Sequence, residues 1–149
     1  NCSFSSCKWW LMIKIQKEDF NSEEEIEKIK KLYSNIGAVT SFAGYVRDYN
    51  NNKNVQSIHI EVYEKMATLQ LGKIVNEAKS RWKLIDCLII HRFGKLYLNS
   101  KIVLVSCFAE HRNDSFESCK FIMDYLKMDA PFWKKEYYDK NNEWLINSN

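Results

Sequence analysis

The chain has few of the residues that interrupt regular secondary structure. Its 149 residues include one proline and four glycines, which excludes a loop-rich or low-complexity protein. No apolar run is long enough to span a membrane. Residues 1–11 also lack the basic start and long apolar core of a signal peptide. We interpret them as a leader or a cloning remnant, and we expect a single domain over 12–149 that works in the cytoplasm.

Cysteine is present, but no CxxC pair is. The five cysteines are Cys2, Cys7, Cys87, Cys107 and Cys119. Cys87 and Cys107 fall in strand-like apolar runs, and Cys119 lies on a helix stripe. Such a pattern favours small buried hydrophobes in a reducing compartment over disulfides or zinc ligands.

The excess of positive charge is small. The net charge is +3, which permits an anionic ligand but does not imply a general nucleic-acid surface. Eight Tyr, eight Phe and five Trp would suit a stacking groove for single-stranded nucleic acid. Most of these aromatic residues fall at core-facing positions and no RNP-like strand is present, so we expect no nucleic-acid partner.

Hydrophobic periodicity predicts strands and helices in the first half of the chain. An edge strand is predicted over 9–15. A capping box, with Ser22 as the N-cap and Glu25 at N3, opens a helix. The apolar face of this helix contains Ile26, Ile29, Leu32 and Tyr33. A buried strand is predicted over 37–47, and a polar loop follows over 48–54.

The second half of the chain also contains predicted strands and helices in alternation. A strand over 55–63 has its apolar face at Gln56, Ile58, Ile60 and Val62. A helix over 64–82 turns Leu71, Ile74, Val75, Ala78 and Trp82 toward the core. Two strands are predicted over 86–92 and 101–109, with a turn or short strand at 93–96. Short connections favour antiparallel pairing, so we predict one α+β domain with a mostly antiparallel sheet and three main helices.

The most informative segment, 109–136, reads AEHRNDSFESCKFIMDYLKMDAPFWKKE. An apolar stripe at helical spacing predicts a helix pinned to a core, and it comprises Phe116, Cys119, Met123 and Leu126. Basic residues lie at both of its ends: His111, Arg112, Lys127, Lys134 and Lys135. Cations held at fixed positions suit an anionic substrate, and a lysine crowded by other cations can be a nucleophile.

Each of these cations also has an ordinary structural interpretation. Lys127 is typical of a surface lysine at a helix C-terminus, and Lys134 of a solvated KKE cluster. His111 and Arg112 suit a helix entry, and Arg47 suits the end of an edge strand beside a loop. It is the grouping of the cations that favours a site. His59 and His91 are interpreted as structural histidines.

Five segments resemble the large, catalytic subunit of molybdopterin synthase, the MoaE family. They are GAVTSFAGYVRDYN, IEVYEKMA, IIHRFGKL, AEHRNDSFESCKFIMDYLK and APFWKKE, and they run in order from Gly37 to about Glu136. The resemblance implies a MoaE-like α/β hammerhead fold. It also implies a sulfurtransferase that converts cyclic pyranopterin monophosphate into the dithiolene of molybdopterin.

The resemblance further implies partners and roles. The sulfur donor is a small ubiquitin-like subunit with a C-terminal Gly-Gly thiocarboxylate, and two large subunits form a central dimer. Neither a metal nor a cofactor is implied for the transfer. Lys127 and Lys134 correspond to the catalytic lysines, whereas Arg47, His111 and Arg112 correspond to substrate-binding cations. Asp129 stands where relatives often have a basic residue, which leaves open a non-catalytic module that binds a ubiquitin-like partner.

Overall fold

A computed structural model describes residues 12–50, 53–138 and 142–146, with the side chains of 12–48 and 56–135. The predicted leader and the strand positions 9–11 lie outside these residues. Three helices occur in the described part of the chain: α1 (Ser22–Lys30), α2 (Glu64–Arg81) and α3 (Arg112–Met128). The strands are β1 (Ile13–Gln16), β2 (Ala38–Tyr45), β3 (Tyr49–Asn50), β4 (Lys53–Val62), β5 (Leu84–Arg92), β6 (Gly94–Tyr97), β7 (Lys101–Ala109), β8 (Phe132–Tyr138) and β9 (Asn142–Ile146).

The first sheet has four strands in the order β1-β5-β7-β2. Its β5–β7 and β7–β2 pairs are antiparallel, whereas β1 pairs with β5 in parallel. Alternate residues of β5 point to opposite faces: Cys87 and Ile89 join the core under α2 and α3, and Leu88 and Ile90 join the core under α1. Helices therefore cover both faces of this sheet.

The second sheet has five strands in the order β3-β4-β8-β9, with β6 also paired to β4. All of its pairs are antiparallel. Ile58 and Ile60 of β4 are 3% exposed and belong to the core cluster that also contains Cys87. The prediction of a mostly antiparallel α+β domain with three main helices is thus confirmed, as is the apolar face of β4.

The predicted limits of α1 were wrong at both ends. Its N-cap is Asn21 rather than Ser22, because Asn21 has the extended backbone and its side-chain oxygen accepts a hydrogen bond from the Glu24 N–H at 3.2 Å. The helix ends at Lys30, so Leu32 and Tyr33 lie beyond it. These two side chains are 45% and 37% exposed.

Two other predictions differ from the structure: the loop over 48–54, where backbone pairing overrides local polarity, and the end of α2. The segment 48–54, predicted as a loop, contains β3 and the first residues of β4, which pair with each other. At 93–96, where a turn or a short strand was predicted, the structure has the short strand β6. The α2 helix ends at Arg81, and Trp82 follows in extended conformation, although its ring still packs edge-on against Phe121 at 5.4 Å.

The buried face of α3 shares only part of the predicted stripe. Phe116 is 60% exposed, whereas Cys119 and Leu126 are buried as predicted. The face against the sheet instead consists of Ser115, Ser118, Cys119, Ile122 and Leu126. Small serine side chains let the helix approach the sheet closely, and the Ser115 hydroxyl hydrogen-bonds to the Thr40 hydroxyl of β2.

The cysteines of the described segments are buried, as predicted. Cys87 and Cys107 lie opposite each other on β5 and β7 with their sulfur atoms 3.7 Å apart, and both are free thiols, as is Cys119. Cys2 and Cys7 lie outside the described residues. Within the described part of the chain, no group of three or more His, Cys, Asp or Glu side chains is arranged to hold a metal ion. Nor do those residues include a helix long and apolar enough to cross a membrane.

Candidate active site

A cavity of about 450 Å³ lies where the two sheets meet the C-terminal half of α3. The strands β2, β5 and β7 supply one side of it, and β4 and β8 supply the other. Its lining residues are Phe42, Gly44, Tyr45, Ile60, His91, Ile102, Val103, Met123, Asp124, Leu126, Lys127, Phe132, Trp133 and Lys134. Most of these side chains are apolar, so charged groups in the cavity act through a less polarisable medium than water.

Lys127 reaches the cavity from the last turn of α3. The buried side chain of Leu126, 8% exposed, anchors this turn to the core. The Asp129 N–H then closes the helix by donating to the Tyr125 carbonyl at 2.9 Å. Lys127 itself is exposed. In the described residues its ammonium group has no hydrogen-bond or ion-pair partner, which leaves it available to a ligand.

Lys134 reaches the same cavity from the strand β8. It lies directly opposite the buried Ile60 of β4, and residues opposite each other in an antiparallel pair share a face of the sheet. Its side chain is half-buried. The structure therefore brings together the two lysines that the sequence analysis singled out as catalytic.

Aromatic residues of β8 fix the wall beside Lys134. The Trp133 ring packs edge-on against Tyr63, with the ring centroids 5.1 Å apart. The Phe132 ring stacks on the His91 imidazole, with centroids 3.8 Å apart and planes inclined by 20°. Side chains held in this way keep their rotamers, so the wall has a defined shape before a ligand enters.

His91 is a cavity residue that the sequence analysis set aside as structural. It lies near the end of β5, and its Nδ1 atom is 2.9 Å from the Arg92 carbonyl oxygen. Burial lowers the pKa of its imidazole to about 4, and the positive charge of Lys134 acts in the same direction, against the effect of the Arg92 carbonyl. The ring lines the cavity, and with this pKa it is neutral at pH 7.

The three predicted substrate-binding cations do not line the cavity. Arg47 is exposed and lies two residues beyond Tyr45, which does line it. His111 and Arg112 are exposed at the N-terminal end of α3. Since an α-helix rises 1.5 Å per residue, about 22 Å separates the backbone of Arg112 from that of Lys127. Within one chain the cations thus form two separate groups.

Asp129 places a negative charge immediately after the helix that carries Lys127. Its carboxylate is exposed, and its charge, together with the larger effect of burial, raises the pKa of Tyr125. That carboxylate must also lower the positive potential at the cavity mouth, since Coulomb interactions near a protein surface act over several ångströms.

Sequence and structure comparisons agree on the family. The profile described as MoaE protein matches residues 15–129. The chain belongs to the MoaE family. It is 45% identical over 133 residues to the molybdopterin synthase catalytic subunit of Ralstonia nicotianae, a match that covers 89% of this chain and 76% of that protein. The corresponding subunit of Pseudomonas aeruginosa is 41% identical over 135 residues, 91% of this chain and 90% of that protein.

A solved MoaE-family structure has the same fold. The molybdopterin biosynthesis MoaE protein of Burkholderia ambifaria superposes with a TM-score of 0.80 at 40% identity, over 93% of this chain and 90% of that one. The profile match includes Arg47, His111, Arg112 and Lys127, whereas Lys134 lies five residues past its end. MoaE-family membership therefore rests on the sequence around most of the candidate site as well as on the fold.

Proposed function

We propose that the chain is the catalytic subunit of a molybdopterin synthase. It transfers sulfur from the thiocarboxylated C-terminus of a small ubiquitin-like protein to cyclic pyranopterin monophosphate, forming the dithiolene of molybdopterin. The observation that carries this proposal is the placement of Lys127 and Lys134 on one largely apolar cavity in a chain of the MoaE family.

The cavity has the properties that such a transfer needs. The thiocarboxylate sulfur forms a bond to a side-chain carbon of the pterin, and an oxygen substituent leaves that carbon with the electron pair. Water then cleaves the acyl carbon–sulfur bond, so the carrier keeps a carboxylate and the pterin keeps the sulfur. Both steps develop negative charge on oxygen. Lysine ammonium groups held in place before the reaction stabilise such charge, by about 3–4 kcal/mol per well-placed donor.

The lining of the cavity is compatible with a peptide tail that has no side chains. Two consecutive glycines carry none, so a C-terminal Gly-Gly segment is slender enough to enter a cavity lined by aromatic residues such as Tyr45 and Trp133. The name of the relatives, catalytic subunit, also implies at least one further subunit in those enzymes. The proposed assembly is cytoplasmic and has two large subunits at its centre, each carrying one small subunit.

The separation of the two cation groups supports a dimer in which the copies share their sites. His111 and Arg112 are too far from Lys127 to bind one small substrate in the same chain. In a two-fold dimer, the same surface of each copy meets its counterpart. The N-terminal end of α3 in one copy then supplies His111 and Arg112 to the cavity of the other, where they bind the cyclic phosphate together with Arg47.

Reconstitution tests the proposed function directly. The purified chain is mixed with a thiocarboxylated small subunit and cyclic pyranopterin monophosphate, and molybdopterin formation is followed over time. Product is expected in proportion to the amount of chain, and none when the carrier ends in an ordinary carboxylate. Failure to form product would reject the enzyme. Carrier binding without turnover would instead select the non-catalytic module, which Asp129 favours because it weakens binding of an anionic substrate.

A further inference from the structure

His91 occupies a place in the fold that brings it to both lysines. In its register on the first sheet it lies between Ile15 of β1 and Val103 of β7. It nevertheless reaches across to the second sheet, where it stacks on Phe132 of β8. Phe132 and Lys134 are two positions apart on one strand and so project from the same face. His91 consequently lines the cavity beside Lys134.

Two contacts fix the orientation and the tautomer of the imidazole ring. The stack on Phe132 holds its plane, and Nδ1 lies 2.9 Å from the Arg92 carbonyl oxygen. Because a carbonyl oxygen only accepts hydrogen bonds, Nδ1 must carry the hydrogen. In the neutral ring the other nitrogen, Nε2, then has no proton and presents a lone pair.

This lone pair has no protein donor in the described part of the chain. Burial lowers the pKa of His91 to about 4, so protonation does not satisfy Nε2 at neutral pH. His91 is half-buried, and an acceptor largely shielded from water is costly without a donor, so such atoms in native proteins are usually completed by water or by a ligand. An unused acceptor on the wall of a cavity is therefore a recognition element.

The other charged side chains of the cavity do not provide an equivalent acceptor. Lys127 and Lys134 only donate hydrogen bonds. The carboxylate of Asp124 is 2.7 Å from the Lys120 ammonium group on the exposed side of α3. A neutral imidazole also accepts a hydrogen bond without cancelling the positive charge of the lysines, which a carboxylate in its place would do.

We propose that His91 is a ligand-binding residue of this cavity, with Nε2 accepting a hydrogen bond from an N–H group of the molecule bound there. The inference rests on the proposed function, which supplies two sources of that N–H: a backbone amide of the carrier's C-terminal glycines and a ring N–H of the pyranopterin. Both are neutral donors of similar size, and both enter the cavity that the two lysines line.

Two variants distinguish the contribution of the hydrogen-bond acceptor from that of ring stacking. His91→Phe keeps a flat ring to stack on Phe132 but has no acceptor, whereas His91→Gln keeps an amide oxygen within about the same reach. The affinity of each variant for the thiocarboxylated carrier and for cyclic pyranopterin monophosphate is measured separately by calorimetry. A carrier shortened by its two glycines distinguishes the tail from the body of that protein.

The expected result is a loss of binding affinity for one of the two ligands and not for the other. One neutral hydrogen bond corresponds to about 3–10-fold in affinity, so His91→Phe weakens either the carrier or the pterin by that factor, and His91→Gln weakens it less. If the carrier tail is the source, the shortened carrier binds the wild-type chain and His91→Phe equally. Full-strength binding of both ligands to folded His91→Phe, or equal losses in the two variants, overturns the proposal.

Nitrogen NMR of the wild-type chain provides a readout that needs no substitution. The Nε2 resonance of His91 is expected to shift toward that of a hydrogen-bonded nitrogen when the source ligand is added, and not with the other ligand. An unchanged resonance with both ligands overturns the proposal. Product formation in the reconstituted assay is scored independently. If the chain forms molybdopterin but the Nε2 resonance of His91 does not shift with either ligand, the role of His91 is refuted and the proposed enzymatic function stands.

Discussion

Lys127 and Lys134 line one cavity although the first ends a helix and the second lies on a strand of the other sheet. The chain between them reverses from α3 into β8 within residues 129–131. This short connection lets both lysine side chains line the same cavity. Their joint action is therefore the first property to test.

Removal of either lysine is expected to abolish most of the activity while leaving the fold intact. Loss of one preorganised donor reduces turnover by about 100- to 1,000-fold, so Lys127→Ala and Lys134→Ala should fall in that range. Lys73→Ala, which removes an exposed lysine of α2, serves as the control and should retain activity within a factor of about two. Full activity in Lys127→Ala would contradict the assigned site.

Mixing two inactive variants tests whether the sites are shared between copies. Lys127→Ala and Arg112→Ala are each expected to be nearly inactive when assayed alone. If Arg112 acts on the cavity of the partner copy, a mixed dimer contains one intact site, and random exchange restores about one quarter of the wild-type sites. If both residues acted within one chain, the mixture would stay inactive. The measurement is molybdopterin formation after subunit exchange.

Neutralising Asp129 is expected to strengthen binding of the anionic pterin. Asp129→Asn removes a negative charge next to the turn that carries Lys127, and an exposed charge of this kind changes affinity by roughly 2–5-fold at low salt. The gain should disappear at high salt because the interaction is screened. Glu18→Gln, an exposed substitution between β1 and α1, is the matched control. An equal gain in affinity in Glu18→Gln would show that the effect comes from the net charge of the chain and not from the position of Asp129.

The low pKa of His91 predicts a specific loss of stability in mild acid. This pKa is about 4 in the folded chain against 6.5 for an ordinary histidine. As the pH falls the unfolded chain binds this proton first, so the contribution is complete above about pH 6.5 and is lost progressively toward pH 4. Its size is at most about 3–4 kcal/mol.

Urea unfolding of the wild type and of His91→Phe between pH 4 and 7.5 measures this contribution. The difference between the two free energies of unfolding should change through that window and be constant above it. A difference that does not vary with pH would show that the imidazole titrates similarly in the folded and unfolded chains.

Gly37→Ala is expected to destabilise the fold without touching the cavity. A Cβ atom at this position would lie 2.2 Å from the backbone oxygen of Glu110, so β2 and the end of β7 would have to separate. Overpacking of this kind costs about 1–3 kcal/mol, measured as a lower urea midpoint. At Gly44 the added atom meets the Val103 side chain at 3.0 Å. Gly44→Ala should therefore cost less stability and instead narrow the cavity.

Local patterns predicted the regular elements better than their ends. The strand over 101–109 and the start of α2 at Glu64 are found as predicted, because long apolar periodicity determines them. At the start of α1, Asn21 and Ser22 are both good caps, and only the observed backbone distinguishes them. Phe116 was misplaced because serine was not counted as a core residue, although close helix–sheet packing favours it.

The cavity depends on contacts that the order of residues along the chain does not reveal. The two lysines were recognised because they follow an apolar stripe and a family motif. His91 was missed since a histidine near the end of a strand is commonly structural, and its cavity position depends on packing between β5 and β8, some forty residues apart in the sequence. The distance between Arg112 and Lys127, in contrast, follows from the length of α3 alone.

The one proline of the chain, Pro131, lies in the three residues that join α3 to β8. Its ring fixes its own φ angle and restricts the residue before it, Ala130, to extended conformations. The Phe132 N–H also donates to the Ala130 carbonyl at 2.8 Å. The spacing of the two lysines is thus set during folding, and little conformational entropy remains to be lost when an anion binds between them. A more flexible connection at this point would keep both positive charges but lower the affinity of the lysine pair for an anion.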